Sequence, residues 1–200
     1  SENTSAMWCE LVVNKGLAFL PWQEKDLALK SRWQWLNHFF PEFSLAAIDD
    51  KSLLAGLTTW FAPFVGEIKT KAQLAKLDLS QMLLSLLSYQ KQQVLNQVAP
   101  TVYVGPTGRN CPIRYDINER SPKVSLPMQE LYGLTQTPTL GIVAGINEQT
   151  KGIPLLLELL SPAQRPIQVT QDLVKFWSGS YQAVQKDMKS RYPKHYWPDD

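Results

Sequence analysis

The sequence predicts an α+β fold: a helical first half, then a small antiparallel β-sheet and a C-terminal helix with a docked aromatic and basic tail. Three observations predict it. Apolar residues in the first hundred positions recur at spacings of three and four, the period of one helix face. After Pro100 the texture changes to short β-branched and aromatic runs separated by Gly, Pro and Asn. From Gln171 the helical spacing returns, and the chain closes on a run rich in Tyr, Trp, Lys and Arg. The expected domains are 1–100, helical, and 101–200, mixed.

Trp8 to Phe19 is expected to form a first short helix stopped at Gly16. Pro21 stands where a helix can begin, since its missing N–H is not needed in the first turn. Leu29, Trp33, Leu36 and Phe40 then share one face, and Pro41 ends the run. Asp49 and Asp50 suit the positive end of the next helix. Its apolar face is expected to carry Leu53, Leu57, Trp60 and Phe64, with Pro63 at its end. A third long helix is expected from Asp78 or Ser80 to Pro100, burying Leu79, Met82, Leu83, Leu86, Leu87 and Val94.

Beyond Pro100, Thr101–Val104 is a strand signal and Gly105-Pro106-Thr107-Gly108 a turn. Ile113–Asp116 alternates, so Ile113 and Tyr115 face away from Arg114 and Asp116. Asn118–Pro122 reads as a turn, Lys123–Leu126 as a third strand, and Met128–Tyr132 as one helical turn ended by Gly133. Leu140–Ile146 and Ile153–Leu160 bracket the polar loop 147–152 and read as a hairpin. Thr170, reinforced by Asp172, is the expected N-cap of the last helix. Leu173, Phe176, Trp177, Val184 and Met188 form its apolar face, and Ser178-Gly179-Ser180 weakens its centre.

Composition sets the bounds. Hydrophobic residues make up 44% and charged residues 19% of the 200 positions, ordinary for a packed core. The net charge of +2 does not by itself force nucleic-acid binding. No apolar run approaches the ~18–20 residues needed to span a bilayer. No basic-then-apolar leader opens the chain, so a cytoplasmic location without membrane partners is expected. Cys9 and Cys111, the only cysteines, suit free thiols in a reducing compartment. Charge is uneven: residues 1–100 hold nine basic and nine acidic side chains, but residues 161–195 hold six basic against two acidic. Local excess of this kind favours phosphate contact, and it is also common on a solvated helix face.

Motifs for chemistry are few. There is no Gly-Lys pair to end a phosphate-binding loop and no Asp-Glu-x-His or Asp-Glu-x-Asp run to place a metal and a water. Gly105-Pro106-Thr107-Gly108-Arg109 reads as a β-turn rather than a nucleotide site, because proline removes a backbone donor and no lysine follows. His38 and His195 are the only histidines, and no Cys or His lies at a ligand spacing. Trp177-Ser178-Gly179-Ser180-Tyr181 lacks the first glycine of a nucleophile elbow. No catalytic residue, metal ligand or cofactor site is therefore assigned. Tyr192, Tyr196 and Trp197 interleave with Arg191, Lys194 and His195. Such a run can pair phosphates and stack on bases, or pack as a terminal arm; the two are compatible.

Several segments of the second half point further. Pro106-Thr107-Gly108-Arg109 and Met128-Gln129-Glu130-Leu131-Tyr132-Gly133 come first. Pro154-Leu155-Leu156-Leu157-Glu158-Leu159-Leu160-Ser161-Pro162-Ala163-Gln164-Arg165-Pro166 is the longest, followed by Val169-Thr170-Gln171-Asp172-Leu173 and Phe176-Trp177. Arg191-Tyr192-Pro193-Lys194-His195 and Trp197-Pro198-Asp199-Asp200 complete the set. In this order they resemble the C-terminal domain of the HrpB-type DEAH-box ATP-dependent RNA helicases, over roughly residues 100–200. The helical first half, including Asp49-Asp50-Lys51-Ser52-Leu53-Leu54, resembles the preceding region with less specificity. The resemblance implies a bacterial accessory region whose partners are the helicase motor domains of the same protein. It also implies RNA as a partner, and ATP and magnesium for the motor only. None of the family's catalytic residues has a match. On charge and position, Arg109, Arg114, Lys123, Lys186, Lys189, Arg191 and Lys194 are the expected nucleic-acid contacts. The competing expectation is a protein-interaction module with little RNA contact, suggested by the near-neutral total charge and the many aromatics.

Overall fold

The computed structural model describes residues 1–143 and 147–199. The chain divides into two compact units, Ser1–Leu95 and Asn96–Asp200. The expected α+β class holds.

In the first unit, α1 (Glu2–Lys15) starts earlier than its apolar pattern suggests, because Ser1 caps it. Gly16, at φ 86°, stops it where expected. Next comes α2 (Glu24–Phe39), which begins three residues past Pro21. Asp26 explains the start: it is 1% exposed and accepts from the Gln23 N–H at 2.9 Å and the Ser80 N–H at 3.0 Å, and also from the Ser80 hydroxyl. One carboxylate thus closes a helix start and ties it to a distant turn.

The stripe from Leu53 to Phe64 does not form one helix. It breaks into α3 (Asp50–Ala55), α4 (Leu57–Trp60) and α5 (Ala62–Val65). Pro63 sits at the opening of α5 rather than at its end, and Phe64 is 41% exposed instead of buried. The stripe survives the break at Gly56, with Leu53, Leu57 and Trp60 all buried, and ends at the break at Phe61. A short α6 (Lys71–Leu74), capped by Thr70, follows. The expected third long helix is likewise two, α7 (Leu79–Leu84), capped by Asp78, and α8 (Tyr89–Val98). The Ser88 hydroxyl accepts from the Lys91 N–H at 3.2 Å and restarts the helix. Buried indoles stay satisfied: Trp8, Trp33 and Trp60 donate to the carbonyls of Ile68, Ala46 and Leu53 at 2.8, 2.9 and 2.8 Å.

The second unit is built on a five-stranded sheet in the order β1 (Val102–Val104), β2 (Asn110–Asp116), β3 (Glu119–Pro127), β4 (Leu156–Leu160), β5 (Pro166–Thr170). Three neighbouring pairs are antiparallel, but β3 and β4 run parallel. A parallel pair needs a long crossover, and residues 128–155 supply it, including α9 (Leu140–Val143). Of the expected hairpin of Leu140–Ile146 with Ile153–Leu160 only the open end forms: Thr139 and Pro154 make an antiparallel bridge and the Leu140 N–H donates to the Ile153 carbonyl at 2.8 Å, but Leu140–Val143 is helical, Leu156–Leu160 pairs with β3 and β5, and residues 144–146 lie outside the described residues. An apolar run does not name its own partner. Likewise Asn118–Pro122 is largely strand, with Pro122 seated where the β2–β3 register shifts between Arg114 and Asp116. Pro166–Thr170, which ends at the expected N-cap Thr170, is the edge strand β5.

The last helix divides at the predicted weak point into α10 (Leu173–Ser178) and α11 (Tyr181–Arg191). Its cap is Asp172, not Thr170: the Asp172 carboxylate accepts from the Lys175 N–H at 3.0 Å, while Thr170 Oγ1 accepts from the Asp172 N–H at 3.1 Å. Val124, Leu126, Leu157 and Leu159 from the inner sheet face are buried, as are Leu173, Phe176, Tyr181 and Met188 from the two helices.

Candidate nucleic-acid interface

The seven expected contacts fall in three places. Arg114 and Lys123 are cross-strand neighbours on the outer face of β2 and β3. Ser125 and Glu158 are neighbours across β3 and β4. Arg114 Nη2 donates to Ser125 Oγ at 2.7 Å and to Glu158 Oε1 at 3.4 Å. The Ser125 hydroxyl donates to Glu158 Oε1 at 2.6 Å, and Lys123 Nζ stands 3.9 Å from Glu158 Oε2. The Ser125 hydrogen bond first, then Arg114 and Lys123, holds the Glu158 carboxyl below the usual carboxylate range. Both cations are thus already committed to one carboxylate whose side chain is only 19% exposed. Glu158 was not among the expected residues. Its signal was a lone acid inside Leu155–Leu160.

Lys186, Lys189 and Arg191 lie on the exposed side of α11, and Lys194 in the tail beyond it. The tail is docked, as expected. Gln185 Nε2 donates to the Trp197 and Pro198 carbonyls at 3.2 and 2.8 Å and to Asp199 Oδ1 at 2.9 Å. Trp197 is 4% exposed and donates to the Tyr192 carbonyl at 2.9 Å, so it offers no face for stacking, whereas Tyr196 is 71% exposed. Lys189 is 3.6 Å from Asp199 and Arg191 3.4 Å from Asp187. Exposed pairs of this kind contribute ~0–1 kcal/mol and release their cations easily. Lys186 and Lys194 have no ion pair among the described residues.

Arg109 stands alone in the β1–β2 hairpin turn, also without an ion pair among the described residues. The turn does not fit a nucleotide phosphate. Gly105 and Gly108 spend their N–H groups on the Arg109 and Gly105 carbonyls at 2.9 Å each, and Pro106 has none. Thr107 instead donates to the buried Glu130 at 2.6 Å, fixing the turn on the domain. Among the described residues no hydrogen bond or ion pair joins the turn, the sheet pair and the α11 group.

Sequence reasoning missed a groove. Tyr132, Gly133, Leu134 and Thr135 line one side, and Val174, Trp177 and Ser178 of α10 the other, around about 440 Å³. Tyr132 and Trp177 meet at 6.0 Å between ring centroids with their planes tilted by 40°, and both pack edge-on against Tyr181 at 6.4 and 5.0 Å. Trp177 was expected in the core, yet it sits at the rim, where its Nε1 donates to the Leu134 carbonyl at 2.9 Å. Only the tertiary meeting of residues 132 and 177, far apart in sequence, makes this site.

Residues 60–200 match the family described as ATP-dependent helicase C-terminal, HrpB_C. The chain belongs to this helicase C-terminal family. It is 42% identical over 187 residues to the ATP-dependent RNA helicase HrpB of Escherichia coli K12, covering 94% of this chain but 22% of that protein. The family fold is shared as well. A crystal structure of the E. coli DExH-box NTPase HrpB superposes with TM-score 0.83 at 41% identity over 96% of this chain. A second, of the E. coli DEAH/RHA helicase HrpB, gives 0.74 at 40% over 94%. The chain spans 23% of each of those two structures. Among the described residues no helix is long and apolar enough to cross a membrane.

Proposed function

We propose that this helicase C-terminal region serves an ATP-dependent RNA helicase as an accessory element that contacts RNA through its phosphates. The observation that carries the reading is the likeness to HrpB along nearly the whole chain, 42% identical over 187 residues. Arg109, Lys186 and Lys194 are the leading phosphate contacts, because they are exposed and hold no ion pair among the described residues. Lys189 and Arg191 join them by exchanging weak surface pairs for phosphate. Arg114 and Lys123 contribute least, since Glu158 holds them. ATP and magnesium belong to the motor lobes, which are the intramolecular partner in this reading, and the work is done in the cytoplasm.

Titration of this chain with single-stranded RNA at increasing salt tests it. Binding is expected at low salt, and log K is expected to fall with log salt at about 0.7 per phosphate neutralised. No affinity at low salt overturns the RNA reading. A second reading, docking on protein with little RNA contact, is favoured by the near-neutral net charge of +2 and by exposed aromatics such as Tyr196, 71% exposed. Capture of purified motor lobes by a chain that does not bind RNA would select it.

A further inference from the structure

We propose that the groove lined by Tyr132 and Trp177 takes one unstacked nucleobase of an RNA strand; this rests on the RNA reading above and names the part of the ligand that the phosphate contacts leave undefined. The groove is walled by the two aromatic rings with Leu134 and Val174, and its polar side chains besides are Thr135 and Ser178. Trp177 Nε1 is spent on the Leu134 carbonyl, and the Tyr132 hydroxyl donates to the Tyr196 carbonyl at 3.3 Å. The edge-on packing of both rings on Tyr181 fixes their planes, so their faces are set before a ligand arrives. Val174, 56% exposed, gives the remaining apolar wall. A volume of about 440 Å³ lies low in the range of small-molecule pockets, about 300–1,000 Å³, and suits a base with its ribose.

Charge selects RNA over an apolar peptide. No lining residue carries a charge. In the chain, Lys175 directly follows the groove residue Val174 on α10, and Lys194 stands two residues before Tyr196, whose ring meets Tyr132 edge-on at 5.8 Å. Both lysines are exposed and without an ion pair among the described residues. A base in the groove brings phosphates on either side, and these two ammonium groups are their complement.

The test compares two probes at one salt concentration: a short oligouridine, and a matching strand of ribose phosphates without bases. The native chain is expected to bind the first about tenfold more tightly, the size of one stacked base. Val174→Glu places a longer side chain across the groove from an exposed position. Its charge weakens both probes alike, so the ratio of affinities remains a clean reading and is expected to fall towards one. Trp177→Leu, which keeps an apolar wall but removes the ring face, is expected to do the same. If both probes bind the native chain equally, the base site is wrong and the phosphate reading stands. Binding by neither probe overturns both. A preference for bases that survives both substitutions places stacking elsewhere and overturns the groove. So does loss of motor-lobe capture with the ratio unchanged, which would make the groove a protein-docking site.

Discussion

Arg114 and Lys123 on the sheet, and Lys186 and Lys194 on α11 and its tail, are the same kind of side chain in different surroundings. On the sheet, strand register brings two cations, one hydroxyl and one carboxylate together, and both cations share that one carboxylate. On α11 the cations project from a helix whose buried side holds Tyr181, Gln185 and Met188, and Lys186 has no ion pair among the described residues. The difference teaches that a basic residue's role is set by what the fold places within 4 Å of it. The sheet cations share one carboxylate across β2, β3 and β4, whereas Lys186 and Lys194 have no ion pair among the described residues.

The strongest way to break the comparison is to remove what presents the α11 group. Trp197→Ala empties a site 4% exposed and removes the donor to the Tyr192 carbonyl. A loss of about 3–5 kcal/mol is expected from burial of this size, read by urea unfolding. A loss below about 1 kcal/mol would show that the tail, with Lys194, is not docked in solution.

Next in size is Glu158→Gln. It leaves Arg114 and Lys123 facing each other across the strands without their carboxylate, and a loss of about 1–3 kcal/mol is expected at neutral pH. The pH dependence fixes the cause. The folded-state pKa of Glu158 is depressed, so its contribution is fully present above the unfolded value of about 4.3 and is lost as pH falls through the folded value. The native and Glu158→Gln chains are therefore expected to converge in stability on acidification below about pH 4. A gap that stays constant to low pH would remove the charge explanation. The same substitution frees two cations, so RNA affinity is expected to rise.

How much of this was legible depended on the range of the interaction. The helix stop at Gly16, the alternation about Arg114 and the break at Gly179 are local, and spacing predicted them. The parallel partner of β4 was not local. Leu156–Leu160 is as apolar as a hairpin arm, and only the chain's return over residues 128–155 decides its neighbour. Phe64 failed for a subtler reason: Leu57 and Trp60 stay buried past Gly56, and the second break, at Phe61, comes before Phe64 beneath an unbroken stripe. Among the candidate contacts, charge and residue type were readable but commitment was not. Nothing in the sequence pairs residue 158 with 114, or 132 with 177.

The smallest effect separates the two regions most directly. Lys186→Ala and Lys194→Ala are exposed substitutions and are expected to change stability by less than about 0.5 kcal/mol. Each is expected to weaken every RNA sequence alike and to take about 0.7 from the salt slope, because each removes one phosphate contact from a single strand. Arg114→Ala is expected to behave in the opposite way, lowering stability through Ser125 and Glu158 while leaving the slope unchanged. The pairing of slope with stability is the decisive measurement. If Arg114→Ala lowered the slope as much as Lys186→Ala, the Glu158 network would be a loose ion cloud that phosphate readily displaces, and the sheet face would join the RNA surface.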